Sequence, residues 1–479
     1  MRRMTDEERE VFYRLRQVIA QRRKRNRLRT RYFDGEEFLA KIPMSVPMSM
    51  RQLAIPVGWP RKAVDALASR LVPRSFTSRT STSLISDLEI AWEMNSMDFA
   101  ESQAITSALL HGCSFAFTSH GDPVAGEPEV LIAIRDATTA TCELDPRTRA
   151  VTAALDLGKD TAYLHLPHAV LALEATAGGA WQVNDDESDY HDVGRVFCAP
   201  YVHGASLQRP LGTSRITRPL MGLTDLGVRT FIRQEVSSDF YAAPRGLMID
   251  VFEDQFDLRQ DGNVTGWEHM IGAFAALSSQ YDEETDQPVK PELKVLPQMS
   301  MQPFSDQFRL VAAAVAGETS VPVHYLGVVQ DSNPTSAEAI YASEVDLVRA
   351  AKGQFASFNL GRRKLAQDVL HIIHGANALA GDSEVAGLSP RWEDPRTRSV
   401  SEQSQFVALQ VQAGNMQPGT EATLEQLPLD PVDVRRIAAE NRQGVSQKLL
   451  DALAGAARDP EAELIATSEA PAATRAGLE

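Results

Sequence analysis

The chain has 479 residues, of which 43% are hydrophobic and 23% charged, a composition typical of a folded protein with more than one packed core. No apolar run approaches the ~18–20 residues of a membrane helix. The arginine-rich amino terminus lacks the apolar segment of a signal peptide, which argues against secretion by that route. The three cysteines lie far apart without a C-x-x-C pair, which favours reduced structural thiols in a cytosolic setting over a disulfide framework or a zinc site.

The net charge of −16 is unevenly distributed along the chain. Residues 1–31 contain twelve Arg or Lys against four acids, a balance of +8, so the remainder carries −24. Because phosphate neutralisation supplies most of the affinity for DNA, the acidic remainder argues against a sequence-reading DNA-binding protein. It is compatible with a channel through which DNA slides without adhering, and equally with excess acid that only maintains solubility.

The first part of the chain is predicted to contain helices followed by strands. Residues 5–29 have the apolar spacing of a charged helix. Its basic run at 22–25 could contact nucleic acid, although a solvated or subunit-contacting helix end is favoured. After an extended arm at 40–56, Pro60 begins a second helix, and a third near 98–111 ends at Gly112. Strands are predicted at 113–117, 130–135, 139–144, 151–157, 163–166, 170–173 and 195–201, with loops at 176–179 and 184–192.

This order of elements predicts an α+β unit built on a helix-flanked antiparallel sheet. A helix over 217–241 then precedes a mixed insertion at 245–300, with strands near 247–251 and 293–296 and a helix near 266–278. A further helix follows at 305–316. The pattern is that of two helices carrying a small domain at their tip.

The segment 321–375 is predicted to hold a polar loop and then one very long helix. Pro334 disfavours helical backbone at Asn333, and Thr335 with Glu338 has the spacing of a capping box. No proline follows before His374, so the helix could reach ~55 Å at 1.5 Å per residue. A helix of this length, far above the average, normally packs against copies of itself or spans between domains, and burial by identical neighbouring chains is expected here.

The remaining segments are predicted as short elements. A strand over 388–392 would return to the first domain, and a helix is expected over 400–414. Two helical segments follow near 431–440 and 446–458, and residues 459–479 have a disordered composition.

The sequence predicts no catalytic, cofactor-binding or metal-binding residues. Residues 212–216 begin like the hydrolase elbow G-x-S-x-G, but Ile216 replaces the second glycine, which favours a turn before a helix. A phosphate-binding loop of the form G-x-x-x-x-G-K-[ST] is absent. The pairs His371 with His374 and His165 with His168 lack the carboxylates of a metal site. The acidic residues at 185–189 are interpreted as a surface loop.

Several short motifs resemble those of the portal proteins of tailed bacteriophages. They are RYFDG at 31–35, WPRKAVDAL at 59–67, GTSRI at 212–216, VPVHYLG at 321–327 and NPTSAEAI at 333–340, and they occur in the expected order. The resemblance spans roughly residues 30–400. It implies an amino-terminal helix and arm (1–58), a wing domain (59–213), a first stem helix (214–242), a clip (243–302), a second stem helix (303–320), a pore loop with a channel-side helix (321–376), a return to the wing (377–414), a helical crown (415–458) and a tail (459–479).

The resemblance also implies a function. Portal proteins are non-enzymatic virion subunits that form a ring, usually of twelve copies, at one capsid vertex. The implied partners are double-stranded DNA that passes non-specifically, the packaging motor with its large terminase, the head–tail adaptor, and capsid and scaffolding proteins. No membrane is implied, and assembly is expected in the host cytoplasm. Two alternatives remain open: another virion component, such as a capsid or baseplate protein, and a phage-encoded nuclease or hydrolase.

In a ring, the loop before the long helix would face the channel. Its lining would be the short polar side chains of Gln330, Asp331, Ser332 and Asn333. Such a loop repels phosphate weakly and offers hydrogen-bonding groups without reading bases. Thr335 and Glu338 would cap the helix behind it. An ordinary solvent-exposed loop with a helix cap is the alternative interpretation.

Overall fold

The computed structural model describes two compact units, residues 1–395 and 396–479. The described residues are 1–36, 56–78, 83–122, 124, 126–176, 178–191, 193–242, 246–249, 280–282, 287–289, 292–295, 300–328, 337–375, 383–396, 400–427, 429, 433–434 and 436–444. Within them no helix is both long and apolar enough to cross a bilayer.

Helices contain most of the described residues outside the strand-rich region 113–202. They are α1 (Asp6–Asp34), α2 (Trp59–Ala68), α3 (Ser83–Met94), α4 (Met97–His111), α5 (Arg218–Ala242), α6 (Gln302–Thr319), α7 (Ala337–His374), α8 (Ser383–Ala386), α9 (Val400–Gln412) and α10 (Glu421–Leu424), with a 3-10 turn at Val323–Leu326.

The described strands pair antiparallel throughout. They are β1 (Pro73–Thr77), β2 (Cys113–His120), β3 (Val130–Asp136), β4 (Ala140–Leu144), β5 (Val151–Leu157), β6 (Thr161–Leu166), β7 (Ala169–Ala175), β8 (Trp181–Tyr190), β9 (Cys198–Val202), β10 (Gly246–Ile249), β11 (Gln280–Asp282), β12 (Gln287–Val289), β13 (Glu292–Val295) and β14 (Ser389–Trp392). The predicted α+β class is confirmed.

Two sheets pack face to face at the centre of the first unit. The order β4-β5-β6-β7-β8 forms one sheet and β3-β2-β9 the other. Side chains from facing strands, such as Phe115, Phe117 and Ala154, form a shared core between them. All three cysteines lie in this core as buried free thiols, and burial raises the pKa of Cys113 to about 12.

Helices cover the outer faces of the two sheets. Apolar residues of α1, including Phe12 and Leu15, pack on the five-stranded sheet. The same helix begins with a complete capping box between Thr5 and Glu8 and ends at left-handed Gly35. On the opposite side α2, α4 and α7 share one core with β2 and β9. The result is a layered arrangement of helix, sheet, sheet and helices.

The predicted loop at 184–192 is wrong for most of its length, because residues 184–190 belong to β8. Its first residues bury Trp181 and Val183, and the strand pairs with β7 from Ala175 to Ala169. The Ser188 hydroxyl accepts a hydrogen bond from the Ala172 amide at 3.0 Å, where the register shifts. The strand accommodates these polar and acidic residues because it lies at the edge of the sheet, where their side chains point to solvent.

The long helix is confirmed at 38 residues, but the prediction that identical neighbours bury it is wrong for much of its length. Leu347, Phe358 and Leu365 are fully buried in the chain's own core. At Gly361 the helix passes so close to β9 that an added Cβ would lie 2.5 Å from the Pro200 carbonyl oxygen. The sheet therefore supplies the apolar partner that helical periodicity alone cannot identify.

One exposed stripe remains on the long helix. It faces away from the sheets and consists of Ala342, Val345, Arg349, Gly353, Ala356 and Leu360.

A buried arginine joins the long helix to the elements around it. Arg362 is 1% exposed, and its Nε donates to Glu101 Oε1 at 2.7 Å. Its two terminal nitrogens donate to the carbonyls of Arg391 on β14 and Arg74 on β1, at 2.7 and 2.6 Å. The Tyr201 hydroxyl donates to the same carboxylate at 2.8 Å. Thus Arg362 connects α4, α7, β1, β14 and β9.

Aromatic rings enclose this buried ion pair. The guanidinium of Arg362 lies 5.0 Å from the ring of Phe76 and 4.9 Å from that of Trp392. Both contacts are within the range of cation–π attraction. Burial, and then the negative charge of Glu101, raise the pKa of Tyr201, so the phenol remains a donor. The strand pair β1–β14, predicted as a return to the first domain, closes over this site.

The second unit contains α9 and α10, with helical backbone at 436–444. Leu424, Val434 and Ala438 form its buried apolar cluster. The predicted helix over 400–414 is confirmed, and the one near 431–440 overlaps the helical backbone. The helices predicted near 266–278 and 446–458, and the tail at 459–479, lie outside the described residues, as do most of the arm at 40–56 and of the insertion at 243–302.

Replacing Glu101 with Gln tests the buried pair. The variant keeps an acceptor for Tyr201 but leaves the guanidinium of Arg362 without a counter-charge. We expect the free energy of unfolding to fall by about 3–5 kcal/mol, measured by urea denaturation followed by circular dichroism.

The matched control is Glu393→Gln, which removes an exposed carboxylate 3.0 Å from Arg74 on the same pair of strands. Its cost should stay below about 1 kcal/mol. Similar losses in the two variants would contradict the special role of the buried pair.

Candidate functional site

The predicted channel loop lies between two described segments, but its own lining does not belong to the described residues. Gln330, Asp331, Ser332, Asn333 and Thr335 lie outside them. Glu338 belongs to the first turn of α7, and its side chain is not described either. The loop lining and the capping pair therefore stay predictions. What the structure shows is how the chain is held on each side of the loop.

On the upstream side, a tight turn brings the chain to the loop. The 3-10 turn Val323–Leu326 follows Pro322 and ends at Gly327, whose φ of +78° lies in the left-handed region that favours glycine. The indole of Trp59 donates to the Leu326 carbonyl at 3.4 Å and stacks on Phe308 with ring centroids 5.0 Å apart. Helices α2 and α6 therefore fix the point at which the loop begins.

Three side chains connect the two flanks of the loop. The Tyr325 hydroxyl donates to Glu344 Oε1 at 2.6 Å, across 19 positions of sequence. Arg70, which follows α2, lies 2.9 Å from Glu344 Oε2 and donates to the Tyr325 hydroxyl at 3.1 Å. We call Arg70, Tyr325 and Glu344 the loop clamp, because its bonds hold the 3-10 turn against the second turn of the long helix.

The loop clamp is largely removed from water. Glu344 is buried, and Arg70 also donates to the Pro395 carbonyl at 2.8 Å. Burial, and then the hydrogen bond to Glu344, raise the pKa of Tyr325. The ammonium of Lys62 lies 5.0 Å from the Tyr325 ring. A charge-assisted network in a site of low polarity is stronger than the same bonds in water.

The other residues considered from sequence have structural roles. Gly212 adopts φ +74° beside the carbonyls of His203 and Gly112, where an added Cβ would clash. The buried Ser214 hydroxyl donates to the Leu110 carbonyl at 2.6 Å and accepts from the Ile216 amide at 2.9 Å. With its hydroxyl engaged in this turn, Ser214 is not placed as a nucleophile. The turn that precedes α5 agrees with the interpretation made from sequence.

The histidines considered as metal ligands also have structural contacts of their own. His374 lies 2.9 Å from Asp87, whereas Nδ1 of His371 lies 2.7 Å from the Gln367 carbonyl oxygen. His165 is buried beside Phe117, and burial lowers its pKa to about 3. In the part of the chain that the structure describes, no three His, Cys, Asp or Glu side chains are grouped to hold a metal ion.

Comparison with known proteins identifies the family. The model of the family described as "Phage portal protein, SPP1 Gp6-like" matches residues 14–447. The chain belongs to this family. It is 24% identical to the portal protein of Mycobacterium phage L5 over 376 residues, which cover 77% of this chain and 75% of that protein. It is also 24% identical to the portal protein of Mycobacterium phage D29 over 379 residues, 78% and 76% of the two chains.

A solved structure of the virion of a native gene transfer agent particle contains a chain of similar fold. The match has a TM-score of 0.40 at 14% identity and covers 78% of this chain and 90% of that one.

Family membership decides between the alternatives left open by the sequence. This portal protein is a structural component of a phage virion and not an enzyme. The nuclease or hydrolase alternative is thereby set aside, as is a capsid or baseplate role.

The loop clamp was missed by sequence reasoning. Tyr325 lies inside the VPVHYLG motif, and Glu344 lies two turns into the long helix. Neither position predicts a contact with the other, because the sequence does not give the path of the loop between them. Arg70 lies 255 positions from Tyr325. Only the fold brings the three together.

Replacing Glu344 with Gln tests the loop clamp. The variant removes the negative charge that balances Arg70 in a buried site. We expect the free energy of unfolding to fall by about 1–3 kcal/mol, and Tyr325→Phe to cost about 1 kcal/mol through the lost hydrogen bond.

Asp346→Asn is the matched control, since Asp346 is an exposed carboxylate on the same helix, 3.8 Å from exposed Arg349. Its expected effect is within about 0.5 kcal/mol. Urea midpoints measure all three variants, and an unchanged midpoint for Glu344→Gln would remove the clamp as a stabilising element.

Proposed function

We propose that twelve copies of this chain form a closed ring at one vertex of a phage capsid, through which double-stranded DNA is packaged and ejected. The match to the portal family over residues 14–447 is the observation that carries this proposal. A ring of identical subunits uses two unlike surfaces on each copy, which meet head to tail and close by rotation.

The exposed stripe of the long helix is suited to a contact between subunits. Val345 and Leu360 are large apolar side chains that remain exposed, and Gly353 and Ala356 between them are small enough for close approach by another element. The opposite side of the helix is already buried in the chain's own core. The helix would thus pack against its own subunit on one side and against the next subunit on the other. This arrangement keeps part of the prediction that identical neighbours bury the helix.

The loop between Val328 and Ala337 would face the channel. The loop clamp supports this assignment, because it fixes both flanks and leaves the polar residues between them to extend from a rigid base. Gln330, Asp331, Ser332 and Asn333 would form a ring of short polar groups with one negative charge per subunit. Weak repulsion of phosphate suits DNA that must move without adhering.

The remaining parts of the chain would take the roles that the resemblance implies. Residues 59–213 and 377–414 would form the wing, 214–242 and 303–320 the stem, 243–302 the clip and 415–458 the crown. The clip would contact the packaging motor and its large terminase, and later the head–tail adaptor. Capsid and scaffolding proteins would meet the outer surface during assembly in the host cytoplasm.

The ring is tested by its mass and shape. Twelve chains of 52.5 kDa give about 630 kDa. We expect light scattering to report this mass for the purified protein, and negative-stain images to show rings with an axial hole. A compact monomer in both measurements would contradict the proposal.

The channel loop is tested by Asp331→Lys. Twelve substitutions change the charge of the loop ring by +24, so phosphates passing through it would be attracted instead of weakly repelled. We expect slower packaging and a lower DNA content per head, measured in a packaging assay and by sedimentation of the heads.

Asp186→Lys, at an exposed position of β8, makes the same charge change elsewhere and should leave packaging unchanged. Normal head filling by the Asp331 variant would show that the loop does not line the channel.

A further inference from the structure

The three-stranded sheet carries opposite charges at its two ends. Its central strand β2 runs from Cys113 to His120, roughly 25 Å at about 3.3 Å per residue. The turn to β3 and the junction of α3 with α4 lie at the His120 end. The middle of α1 and the loop after β9 lie at the Cys113 end.

The His120 end is acidic. The side chain of Asn95, between α3 and α4, donates to the Val130 carbonyl at 2.8 Å and accepts from the Ile132 amide at 2.9 Å. The Gly121 amide donates to the Glu129 carbonyl at 3.0 Å. These bonds bring together five exposed carboxylates, which we call the acidic end: Glu93, Asp98, Asp122, Glu127 and Glu129.

Exposed apolar side chains accompany the acidic end. Ile90 and Met94 lie one turn apart on α3, and Phe99 follows on the first turn of α4. They are 59%, 62% and 69% exposed. A group of large apolar side chains with charges around it is typical of a surface that binds another protein.

The Cys113 end is basic. Here lie Arg22, Arg25 and Arg29 on α1, together with Arg209 after β9, and we call these four residues the basic end. Arg22, Arg25 and Arg29 all act electrostatically on Cys113, and the charges of Arg25 and Arg209 both reach Arg29. Exposed Leu207 lies in the same loop as Arg209.

The basic end has no paired counter-charge among the described residues. Burial, and then the charges of Arg25 and Arg209, lower the pKa of Arg29 to about 10. Its guanidinium donates to the His111 carbonyl at 3.2 Å, while its buried Nε has no partner among the described residues. In the part of the chain that is described, no carboxylate pairs with a cation at positions 22–29. Asp136 on β3 is near, but its Oδ1 accepts from the Thr138 amide and hydroxyl.

We propose that the acidic end of one subunit docks on the basic end of the next subunit in the ring. This inference rests on the proposed ring and adds the surfaces that join its members. The occupant of each end is a second copy of this chain, since one copy carries both complementary charges on opposite ends of one sheet. Head-to-tail contact supplies carboxylates to unpaired arginines and covers the apolar group around Phe99.

Double-stranded DNA is the competing occupant of the basic end. DNA would neutralise the arginines but would leave the acidic end and its exposed apolar residues uncovered. A second copy accounts for both ends together, so the observations favour it.

Two charge-reversed variants test the contact. Arg22→Glu with Arg25→Glu and Arg209→Glu changes the basic end from +4 to −2, so that both ends are acidic. Glu93→Arg with Glu127→Arg and Glu129→Arg changes the acidic end from −5 to +1, so that both ends are basic. Each variant alone should need at least about ten-fold more protein than the wild type for half-assembly, because like charges meet at every junction. Light scattering over a dilution series at fixed salt measures assembly.

Mixing the two variants in equal amounts should restore rings. In an alternating ring every junction again joins an acidic to a basic end, and restoration also shows that each variant is folded. The control is Arg147→Glu with Arg149→Glu and Lys159→Glu, the same charge change at exposed positions in the turns before and after β5, which should assemble like the wild type.

Assembly of both reversed variants at the control's level would overturn the proposal, as would a mixture that stays dissociated. Normal assembly of the Arg22, Arg25 and Arg209 variant, with loss of binding to a short DNA duplex, would assign the basic end to DNA instead. A wild-type chain that stays monomeric would count against the ring itself, which distinguishes the two failures.

Discussion

The fold depends on one buried ion pair, which joins Arg362 in the second half of the long helix to Glu101 on α4. Arg362 has no access to water, so its guanidinium must be satisfied by Glu101 and by two carbonyls, on β1 and β14. A buried cation with these partners tolerates little displacement, because losing one partner leaves a costly unpaired charge. The rotation and axial position of the helix are thereby set relative to both the sheet and the strand pair. Apolar packing of Phe358 and Leu365 stabilises the helix, but such packing alone permits neighbouring registers.

This constraint is connected to the candidate channel loop through the helix itself. Glu344 lies five turns before Arg362 on α7, and it holds the upstream flank of the loop through Tyr325 and Arg70. A helix anchored in the core at one end therefore presents a fixed base for the loop at the other. In the proposed ring, such a base in every subunit would hold the loops at one radius from the axis. Two buried polar networks on one rigid element support that position without contacts made by the loop itself.

Local signals in the sequence predicted most of the elements. Pro60 at the start of α2 and Gly112 after α4 each correspond to an observed helix end, and the apolar spacing over residues 5–29 corresponds to most of α1. The antiparallel strands from 130 to 173 were also anticipated, since their apolar alternation and the turn at Asp145 act over a few residues. Strand β8 was missed because its acids lack the apolar alternation of a strand, and its position depends on pairing with β7. The partner of the long helix, the loop clamp and the Arg362 network could not be predicted, because each includes a contact between residues more than 100 positions apart.

The unequal distribution of charge acquires a physical meaning from the fold. As a sequence, the basic amino-terminal helix and the acidic remainder suggest only a tail and a body. The structure places arginines of that helix at one end of β2 and a set of carboxylates at the other. The subunit therefore has a positive and a negative end along the axis of this strand. An isolated subunit leaves both ends unpaired, and an open chain of subunits leaves two ends unpaired whatever its length. A closed ring is the finite arrangement in which every end is paired. A subunit with one acidic and one basic end therefore favours a closed ring over an open chain that continues to add subunits.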